Sequence, residues 1–541
     1  MDDQVQGLTR YQLPDAASVF SLADRLTLEQ ACQSAVSLRD LGHGNVVTYS
    51  RKIFIPLTRL CRDFCHYCTF ATRPKNLASP YMSADEAVSL ASQGREMGCK
   101  EALFTLGEKP ELRYDIAREA LAEMGFSTTL EYVAHVAGRV LKETGLLPHI
   151  NAGCMTPDEI SMLRQVSASM GIMLESASER LCQKGQVHYG SPDKQPAARL
   201  QTLADVGRAR VPFTTGILIG IGETRRERLE SLLAIRDLHE EYGHIQEVIV
   251  QNFVPKADTK MAQVAPPATD ELLWTVAMAR IIFGPDMSIQ APPNLSPGAL
   301  KPLVDAGIND WGGVSPLTPD HVNPESPWPE IEQLAVESAN AGKLLQQRLT
   351  IYPEYNIAAE NWLDEHVRPY VLKLSDTAGL ARQDDWLTGQ SVVLPPGFSV
   401  TSSGSAKGRP VTPRIKTILD NVESGVQKPG IDEISDLFAA RGDDFIAVCE
   451  AADRTRAAYS GDAVSYVINR NINYTNICGY RCSFCAFAKG KKRTPASDAP
   501  YLKSPDDIAQ LAMEAWQRGA TEVCLQGGIH PHFTGQTYID I

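Results

Sequence analysis

The sequence lacks three features that would indicate a secreted, membrane-bound or nucleic-acid-binding protein. A membrane-spanning helix needs about 18 consecutive apolar residues, and no apolar run in the sequence is that long. The start, MDDQVQGLTRYQLPDAA, is acidic where a signal peptide would be basic and then apolar. Positive charge is scarce, because 65 Asp and Glu outnumber 52 Lys and Arg and give a net charge of −13. These absences exclude broad contacts with nucleic acid or an anionic membrane and predict a cytoplasmic protein with small-molecule partners.

Cysteine, by contrast, is plentiful. A cytoplasmic chain keeps its thiols reduced, so twelve cysteines indicate metal binding or catalysis rather than disulfides. Half of them form two stretches of equal spacing, CRDFCHYC at 61–68 and CGYRCSFC at 478–485. The other six are scattered, and we interpret them as small buried hydrophobic residues. They are Cys32, Cys99, Cys154, Cys182, Cys449 and Cys524.

The cysteine stretches belong to a longer internal repeat. Residues from Val47 to Phe70 recur 417 positions later, and residues from Leu90 to Gly107 recur 421 positions later. The offset between the copies grows by four residues, which predicts a short insertion in the second copy, in the loop KGKKRTPASDAPYL. Two homologous modules are therefore expected. The sequence ends soon after the Gly527-Gly528 pair of the second module, so we expect this module to be truncated.

The repeat and the composition divide the chain into four parts. We predict a helical lead-in at 1–45, a first barrel module at 46–371 and a linker at 372–413, rich in Gly, Ser, Pro and Thr. The second, truncated module at 414–541 begins with helical spacing over 414–459.

In the first module, short β-rich runs alternate with amphipathic stretches, as in parallel strands joined by helices. Eight such units favour an α/β fold with a (β/α)8 TIM-type barrel, and an open doubly wound sheet is the alternative. In a barrel, the loops that follow the strands meet on one face. The strand candidates are 52–58, 101–106, 147–152, 171–176, 213–220, 247–253, 287–292 and 307–313.

Three cysteines at gaps of four and three are too few for a structural zinc site, which commonly uses four ligands in two pairs. A 4Fe–4S cluster bound by three thiolates instead keeps one iron free to bind a substrate or cofactor. The spacing therefore favours an iron–sulfur centre with an open iron. The ligand candidates are Cys61, Cys65 and Cys68 in the first module and Cys478, Cys482 and Cys485 in the second.

The pattern C-x3-C-x-aromatic-C, with Tyr67 or Phe484 as the aromatic residue, resembles the signature of the radical S-adenosylmethionine (SAM) superfamily. The resemblance implies one 4Fe–4S cluster per module, whose open iron binds SAM. Two further motifs are similar to SAM-binding motifs of that family. They are the turn at Gly107 and Glu108, matched by Gly527 and Gly528, and the strand GILIGIGE, which contains Gly216, Gly220 and Glu223.

Glu175 and Arg180 resemble groups that contact the ribose and carboxylate of SAM in relatives. The alternative is an ion pair between these two residues at the surface. His149, Asn151 and Gln251 lie near the ends of the third and sixth predicted strands and are candidates for binding a polyol substrate. His530 and His532 resemble a metal-binding pair, but we interpret them as part of a turn. No catalytic acid or base is predicted.

The flanks CRDFCHYCTFATRP and NICGYRCSFCAFAKGKKR resemble the two halves of the FO synthase family. That family makes the deazaflavin FO, in coenzyme F(420) biosynthesis, from tyrosine and ribitylaminouracil. The resemblance implies that a CofH-like half transfers a 4-hydroxybenzyl group from tyrosine, and that a CofG-like half then closes the ring of this benzylated pyrimidine adduct and releases ammonia. It also implies a reductant such as flavodoxin or ferredoxin.

Because the second module is short, we expect this chain to perform only the CofG-like step, with a complete CofH-like chain as a partner. Two other interpretations stay open. One is a radical SAM enzyme of another aromatic or quinone-precursor pathway, and the other is a non-catalytic iron–sulfur electron carrier or redox sensor.

Overall fold

A barrel of parallel strands forms the core of the first of two units. The computed structural model describes residues 11–376, 378–382, 411–425, 427–461, 465–480, 482–489 and 499–541. The chain divides into a first unit, Met1–Asp384, and a second unit, Asp385–Ile541. Most of the predicted linker and of the predicted insertion loop lies outside the described residues.

Eight strands of the first unit pair in sequence order, each parallel to the next. The eighth strand also pairs with the first, so that the sheet closes into a barrel. The predicted (β/α)8 fold is thus confirmed, and the open sheet is wrong. The strands are β1 Val46–Thr58, β2 Glu101–Leu106, β3 Leu147–Asn151, β4 Ser169–Gly171, β5 Phe213–Ile219, β6 Ile245–Asn252, β7 Ile289–Gln290 and β8 Asp310–Val314.

Helices surround the barrel, and several begin at capping boxes that the sequence encodes. The sequence Ser83-Ala-Asp-Glu86 predicts such a box at the start of the helix Ala84–Glu96, and the structure confirms it, because the Ser83 hydroxyl accepts the Glu86 amide while the Glu86 carboxylate accepts the Ser83 amide. The helices are α1 Ala16–Arg25, α2 Leu28–His43, α3 Ala84–Glu96, α4 Asp115–Glu123, α5 Thr129–Thr144, α6 Pro157–Arg164, α7 Pro196–Arg208, α8 Arg225–Tyr242, α9 Thr269–Phe283, α10 Leu300–Asp305, α11 Ile331–Asn340, α12 Pro353–Ile357, α13 Ala359–Trp362 and α14 Arg368–Leu374.

The alternation of side chains along β1 shows how the barrel is filled. Ile53, Ile55 and Leu57 are completely buried in the core between strands and helices. Burial of each side chain contributes about 1.5–3 kcal/mol. Lys52 and Phe54 point the other way and line a cavity inside the barrel. The outer layer therefore supplies stability, and the inner layer is free to carry polar and aromatic groups.

Two predicted strands are no more than half as long in the structure as predicted. The strand predicted at 171–176 is β4, Ser169–Gly171, because Glu175 adopts a φ of +65° and the Arg199 guanidinium binds the Met173 carbonyl. The strand predicted at 287–292 is reduced to β7, Ile289–Gln290, because Pro292 has no amide hydrogen for the ladder.

A ninth strand, which the sequence reasoning missed, extends the sheet beyond the barrel. This strand, β9 Leu344–Gln347, pairs with the amino-terminal half of β1, where Val46 lies opposite Leu344. It delivers Arg348 to the barrel interior, where its guanidinium binds Asp310 at 2.6 and 2.8 Å. The unit therefore requires residues well beyond its eighth strand.

The second unit contains two parallel strands, β10 Asn469–Thr475 and β11 Glu522–Gly527, among its described residues. Three helices precede them, as the sequence predicts for 414–459. The helices of this unit are α15 Pro413–Glu423, α16 Ile431–Ala439, α17 Asp443–Ser460, α18 Pro505–Gln517 and α19 Gly535–Asp540. A small core gathers around Ile472, Tyr474 and Ile508. In neither unit is any described helix both long and apolar enough to cross a membrane.

Candidate active site

The first cysteine loop starts where β1 ends and is bound to the end of β2. The Gly107 amide donates to the Thr58 carbonyl at 2.9 Å, and the Arg62 amide donates to the Glu108 carbonyl at 2.9 Å. The Glu108 amide donates to Cys61 Sγ at 3.2 Å. A Cβ at Gly107 would lie 1.8 Å from the Leu60 carbonyl oxygen, so only glycine permits this approach. The Gly-Glu turn thus fixes the first cysteine directly.

The same loop lies against an apolar cluster. Cys65 and Cys68 pack on seven buried residues, which are Tyr67, Leu181, Val187, Leu218, Ile221, Phe253 and Met261. Tyr67 is 8% exposed, and its hydroxyl bonds His188 Nε2 at 3.0 Å. Burial raises the pKa of Cys61 and of Cys65 to about 12. Stable thiolates here therefore need the positive charge of a metal centre.

The donors of this loop are three thiolates. A structural zinc site commonly uses four ligands in two pairs, whereas a 4Fe–4S cluster held by three thiolates leaves one iron open. The donor set of Cys61, Cys65 and Cys68 therefore fits an iron–sulfur cluster with an open iron.

Glu108 extends from the cysteine loop into a buried ionic network. Its carboxylate accepts the Cys154 amide at 2.5 Å and lies 3.3 Å from Arg199 Nη2. Burial raises the pKa of Glu108 to about 7, and Arg199 counteracts this rise. Glu108, Cys154 and Asp193 are close enough to hold an ion, but Arg199 and Arg62 already pair with the two carboxylates. The network therefore positions the loop.

The structure does not bring Glu175 and Arg180 together. Glu175 is buried beside β5, and its Oε1 lies 2.5 Å from Lys194 Nζ. Arg180 instead pairs with Glu227 at 2.8 Å and donates to the Gly222 carbonyl at 2.8 Å. The alternative interpretation, an ion pair between Glu175 and Arg180, is wrong. Glu175 lines the central cavity, whereas the Arg180 side chain is partly exposed beside α8.

The motif GILIGIGE forms β5 and the turn that follows it. The Glu175 amide donates to the Gly216 carbonyl at 3.2 Å, which joins the two predicted cofactor positions. The Glu223 carboxylate accepts the amides of Gly220 at 2.9 Å and Ile221 at 2.8 Å, and it also pairs with Arg228 at 2.7 Å. Glu223 thereby stabilises the turn through its side chain.

A cavity of about 290 Å³ lies inside the barrel, next to the cysteine loop. Tyr67 and Glu175 line it from the cysteine-loop side, and Phe54 stacks on Trp328 along one wall with ring centroids 5.3 Å apart. The predicted polyol-binding residues, His149, Asn151 and Gln251, all line this cavity.

The sequence reasoning missed a charged floor beneath the cavity. Lys52 pairs with Glu101 at 2.7 Å, and Arg348 pairs with Asp310 and, at 3.4 Å, with Glu247. Charged residues at inward positions of otherwise apolar strands, such as the lysine of KIFIPLT, were the available signal. The position of Arg348 had no such signal, because β9 was not predicted.

The second cysteine loop repeats these backbone contacts. The Gly528 amide donates to the Thr475 carbonyl at 2.8 Å, and the Gly479 amide donates to the Ile529 carbonyl at 2.9 Å. Gly527 ends β11 beside Tyr474. The cysteines themselves differ in burial: Cys478 is half-buried, while Cys482 and Cys485 are exposed. Nearby, the His532 amide donates to His530 Nδ1 at 3.2 Å, as in a turn.

Known proteins resemble the chain along nearly its whole length. A model of the radical SAM superfamily matches residues 55–235 and 472–538. The chain is 46% identical to the FO synthase of Mycobacterium tuberculosis, over 97% of this chain and 67% of that protein. It is 45% identical to the FO synthase of Streptomyces coelicolor, over 96% of this chain and 64% of that protein. It thus spans about two thirds of their length.

A shorter relative is matched along its whole length by part of this chain. The 7,8-didemethyl-8-hydroxy-5-deazariboflavin synthase of Methanopyrus kandleri is 50% identical over 62% of this chain and 100% of that protein. Two kinds of evidence therefore agree: the paired cysteine loops with the closed barrel, and the similarity to fused and shorter relatives. The chain belongs to the FO synthase family of the radical SAM superfamily.

Proposed function

We propose that the first unit catalyses the ring closure that forms FO and releases ammonia, and that a complete CofH-like chain is the partner that transfers the 4-hydroxybenzyl group from tyrosine. One observation carries the assignment of the first unit. The cysteine loop opens directly onto the cavity of a closed barrel, because Tyr67 and Glu175 line that cavity. The match to the whole Methanopyrus kandleri synthase supports the same assignment.

Each unit would hold one 4Fe–4S cluster through its three cysteines, Cys61, Cys65 and Cys68 or Cys478, Cys482 and Cys485. When bound, the cluster and SAM supply the radical chemistry of this superfamily. The Glu108 amide stabilises the Cys61 thiolate through its N–H···S bond, and the apolar cluster around Tyr67 keeps water away from the loop. The donor set and its surroundings thus suit an iron–sulfur centre that is shielded from water.

SAM would lie between the cysteine loop and β5. The resemblance of their motifs assigns Gly107, Gly216 and Gly220 to this site, and Glu175, which lines the cavity, carries the carboxylate that would face the cofactor. Lys194 holds that carboxylate in place, which suits it to accept hydrogen bonds from ribose hydroxyls. Arg180 would need to leave Glu227 to reach the cofactor, so we propose Glu175 as the principal contact of the two.

The cavity suits the benzylated pyrimidine adduct. Aromatic rings can stack on the wall of Phe54 and Trp328, while amide and hydroxyl groups lie across from it. A reductant such as flavodoxin or ferredoxin would supply electrons. The twelve free cysteines fit a reducing compartment such as the cytoplasm.

Anaerobic reconstitution of the full chain tests this function. The loaded protein is incubated with SAM, dithionite and the benzylated pyrimidine, and FO fluorescence and 5′-deoxyadenosine are measured. We expect both products. 5′-Deoxyadenosine without fluorescence would indicate a different substrate, and the absence of both would favour an electron carrier. A parallel assay with tyrosine and ribitylaminouracil measures the transfer step separately.

A further inference from the structure

Three polar side chains face the cavity with hydrogen-bonding capacity that the protein itself does not use. They are Thr105 on β2, Asn151 on β3 and Gln251 on β6. Within the described part of the chain, neither the Gln251 amide nor the Thr105 hydroxyl has a protein partner, and Asn151 uses only its Oδ1. Polar groups that line a cavity without protein partners are available to bind a ligand.

His149 fixes the direction of the Asn151 amide. Its Nε2 lies 3.0 Å from Asn151 Oδ1, and its Nδ1 lies 2.7 Å from the Ser169 hydroxyl. Burial lowers the pKa of His149 to about 4, so the ring is neutral and carries one proton. An amide oxygen can only accept, so that proton resides on Nε2, and Nδ1 accepts from one of the two hydroxyls near it, Ser169 at 2.7 Å or Thr350 at 3.2 Å. The Asn151 NH2 group is therefore directed away from His149.

A glycine makes room for this pair. A Cβ at Gly171 would lie 2.5 Å from Asn151 Oδ1 and 3.0 Å from His149 Nε2. The Thr350 hydroxyl lies 2.7 Å from the Ser169 hydroxyl and extends the hydrogen-bonded chain that runs from Asn151 through His149 to Ser169. The orientation of Asn151 thus depends on packing and on a buried polar network, which makes it rigid before any ligand binds.

The charges around the cavity indicate what kind of ligand group these side chains receive. Lys52 is neutralised by Glu101, and Arg348 by Asp310 and Glu247. The third cation of the lining, Lys256, points toward the Tyr67 carbonyl, 3.4 Å away. Two of the three cations of the lining are thus neutralised by carboxylates, whereas hydroxyl groups match the side chains of Thr105, Asn151 and Gln251, which donate and accept.

We propose that Thr105, Asn151 and Gln251 bind the hydroxyl groups of an open-chain polyol, namely the ribityl chain of the substrate, and that His149 is the positioning residue for Asn151. This inference rests on the proposed function of the first unit and specifies its substrate contacts. The stacked pair of Phe54 and Trp328 then receives the aromatic part of the same molecule.

The test is a fluorescence titration of the reconstituted full chain with FO and with an analogue in which a methyl group replaces the ribityl chain. We expect the unsubstituted protein to bind FO at least about tenfold more tightly than the analogue. N151L and Q251L should each weaken FO binding about three- to tenfold and leave binding of the analogue unchanged. The control, Q201L, lies on the exposed surface of α7.

The positioning role has its own test. H149F should lose the preference for FO as N151L does, and H149Q, which retains an N–H donor, should restore part of it. Binding of the analogue reports that each variant is folded, and N151S and Q251S replace the leucine variants if these do not bind it. An unchanged preference in N151L and Q251L would overturn this inference alone. If the unsubstituted protein bound neither compound, the proposed function would fall with it.

Discussion

The two cysteine loops share a backbone and differ in their surroundings. In each unit a glycine amide at the end of the second strand reaches a threonine carbonyl at the end of the first, at 2.9 Å for Gly107 and 2.8 Å for Gly528. The aromatic residue before the third cysteine shows the difference. Tyr67 is 8% exposed within an apolar cluster, whereas Phe484 is 90% exposed among the described residues.

This difference separates what a loop encodes from what a barrel supplies. The shared contacts all come from residues within one strand–helix–strand segment, so both units can form them locally. The residues that bury Tyr67 come from later segments of the first unit, such as Leu218 on β5 and Phe253 after β6. The shape of the ligand loop is therefore local, and its shielding from water is tertiary.

Replacing a ligand cysteine is expected to have the largest effect. If three thiolates hold each cluster, as proposed, C61A should reduce FO formation from the benzylated pyrimidine at least about 100-fold, while C478A should leave it within about twofold. Iron content and FO fluorescence after anaerobic reconstitution are the measurements. Equal losses in both variants would show that the two loops do not work independently.

A methyl group at the shared glycine should disrupt either loop. A Cβ would lie 1.8 Å from the Leu60 oxygen in G107A and 2.3 Å from the Ile477 oxygen in G528A. The cysteine loop must then move, at a cost of about 3 kcal/mol or more in the free energy of unfolding. Thermal unfolding and iron content check this. The control, G535A, has open space at its Cβ and should be neutral.

Acid should destabilise the first unit more than the second. Burial lowers the pKa of His149 and His239 to about 4 and that of His244 to about 3. An unfolded histidine has a pKa of about 6.5, so the unfolded state binds more protons between pH 6.5 and 4. The contribution of each histidine is thus complete above pH 6.5 and is lost on acidification, by up to about 2 kcal/mol at pH 5.

Calorimetry of the full chain between pH 7.5 and pH 5 measures this loss. H244L should make the stability of the first unit fall less steeply with decreasing pH. H532L, at an exposed site in the second unit, should not change this dependence. A decline that H244L leaves unchanged would mean that this histidine does not contribute.

The smallest expected effect is the same in both units. Ser83 caps α3 and Ser504 caps α18 in equivalent capping boxes. S83A and S504A should each lower the free energy of unfolding by about 1 kcal/mol, because each leaves a helix amide without its acceptor. Denaturant unfolding checks this pair. A clear inequality between the two would show that the local structure of the repeat is not equivalent after all.

The features that the sequence predicted are those that depend on nearby residues. The barrel strands with long apolar runs, the capping box at Ser83 and the cysteine spacing are patterns within a few residues. The strands β4 and β9 were misjudged or missed because distant groups define them, whereas the length of β7 was overestimated although Pro292 is visible in the sequence. Arg199 takes the Met173 carbonyl next to β4, and β9 exists only because β1 offers a free edge.

The candidate site shows the same division. The cysteines and Gly107 belong to recognisable motifs. The ion-pair partners of Glu175 and Arg180 are Lys194 and Glu227, which lie 19 and 47 residues away in the sequence. The charged floor was missed for a related reason: each charge has its partner on another strand. Spacing along one strand carries no information about such pairs.

The ninth strand also sets the smallest piece of the chain that can fold as the first unit. A polypeptide ending at Val314 would contain all eight barrel strands, yet it would lack Arg348. Asp310 and Glu247 would then lie in the barrel interior without their cation, and an uncompensated buried charge costs about 3–5 kcal/mol. The boundary of autonomous folding therefore lies beyond the point where the barrel closes.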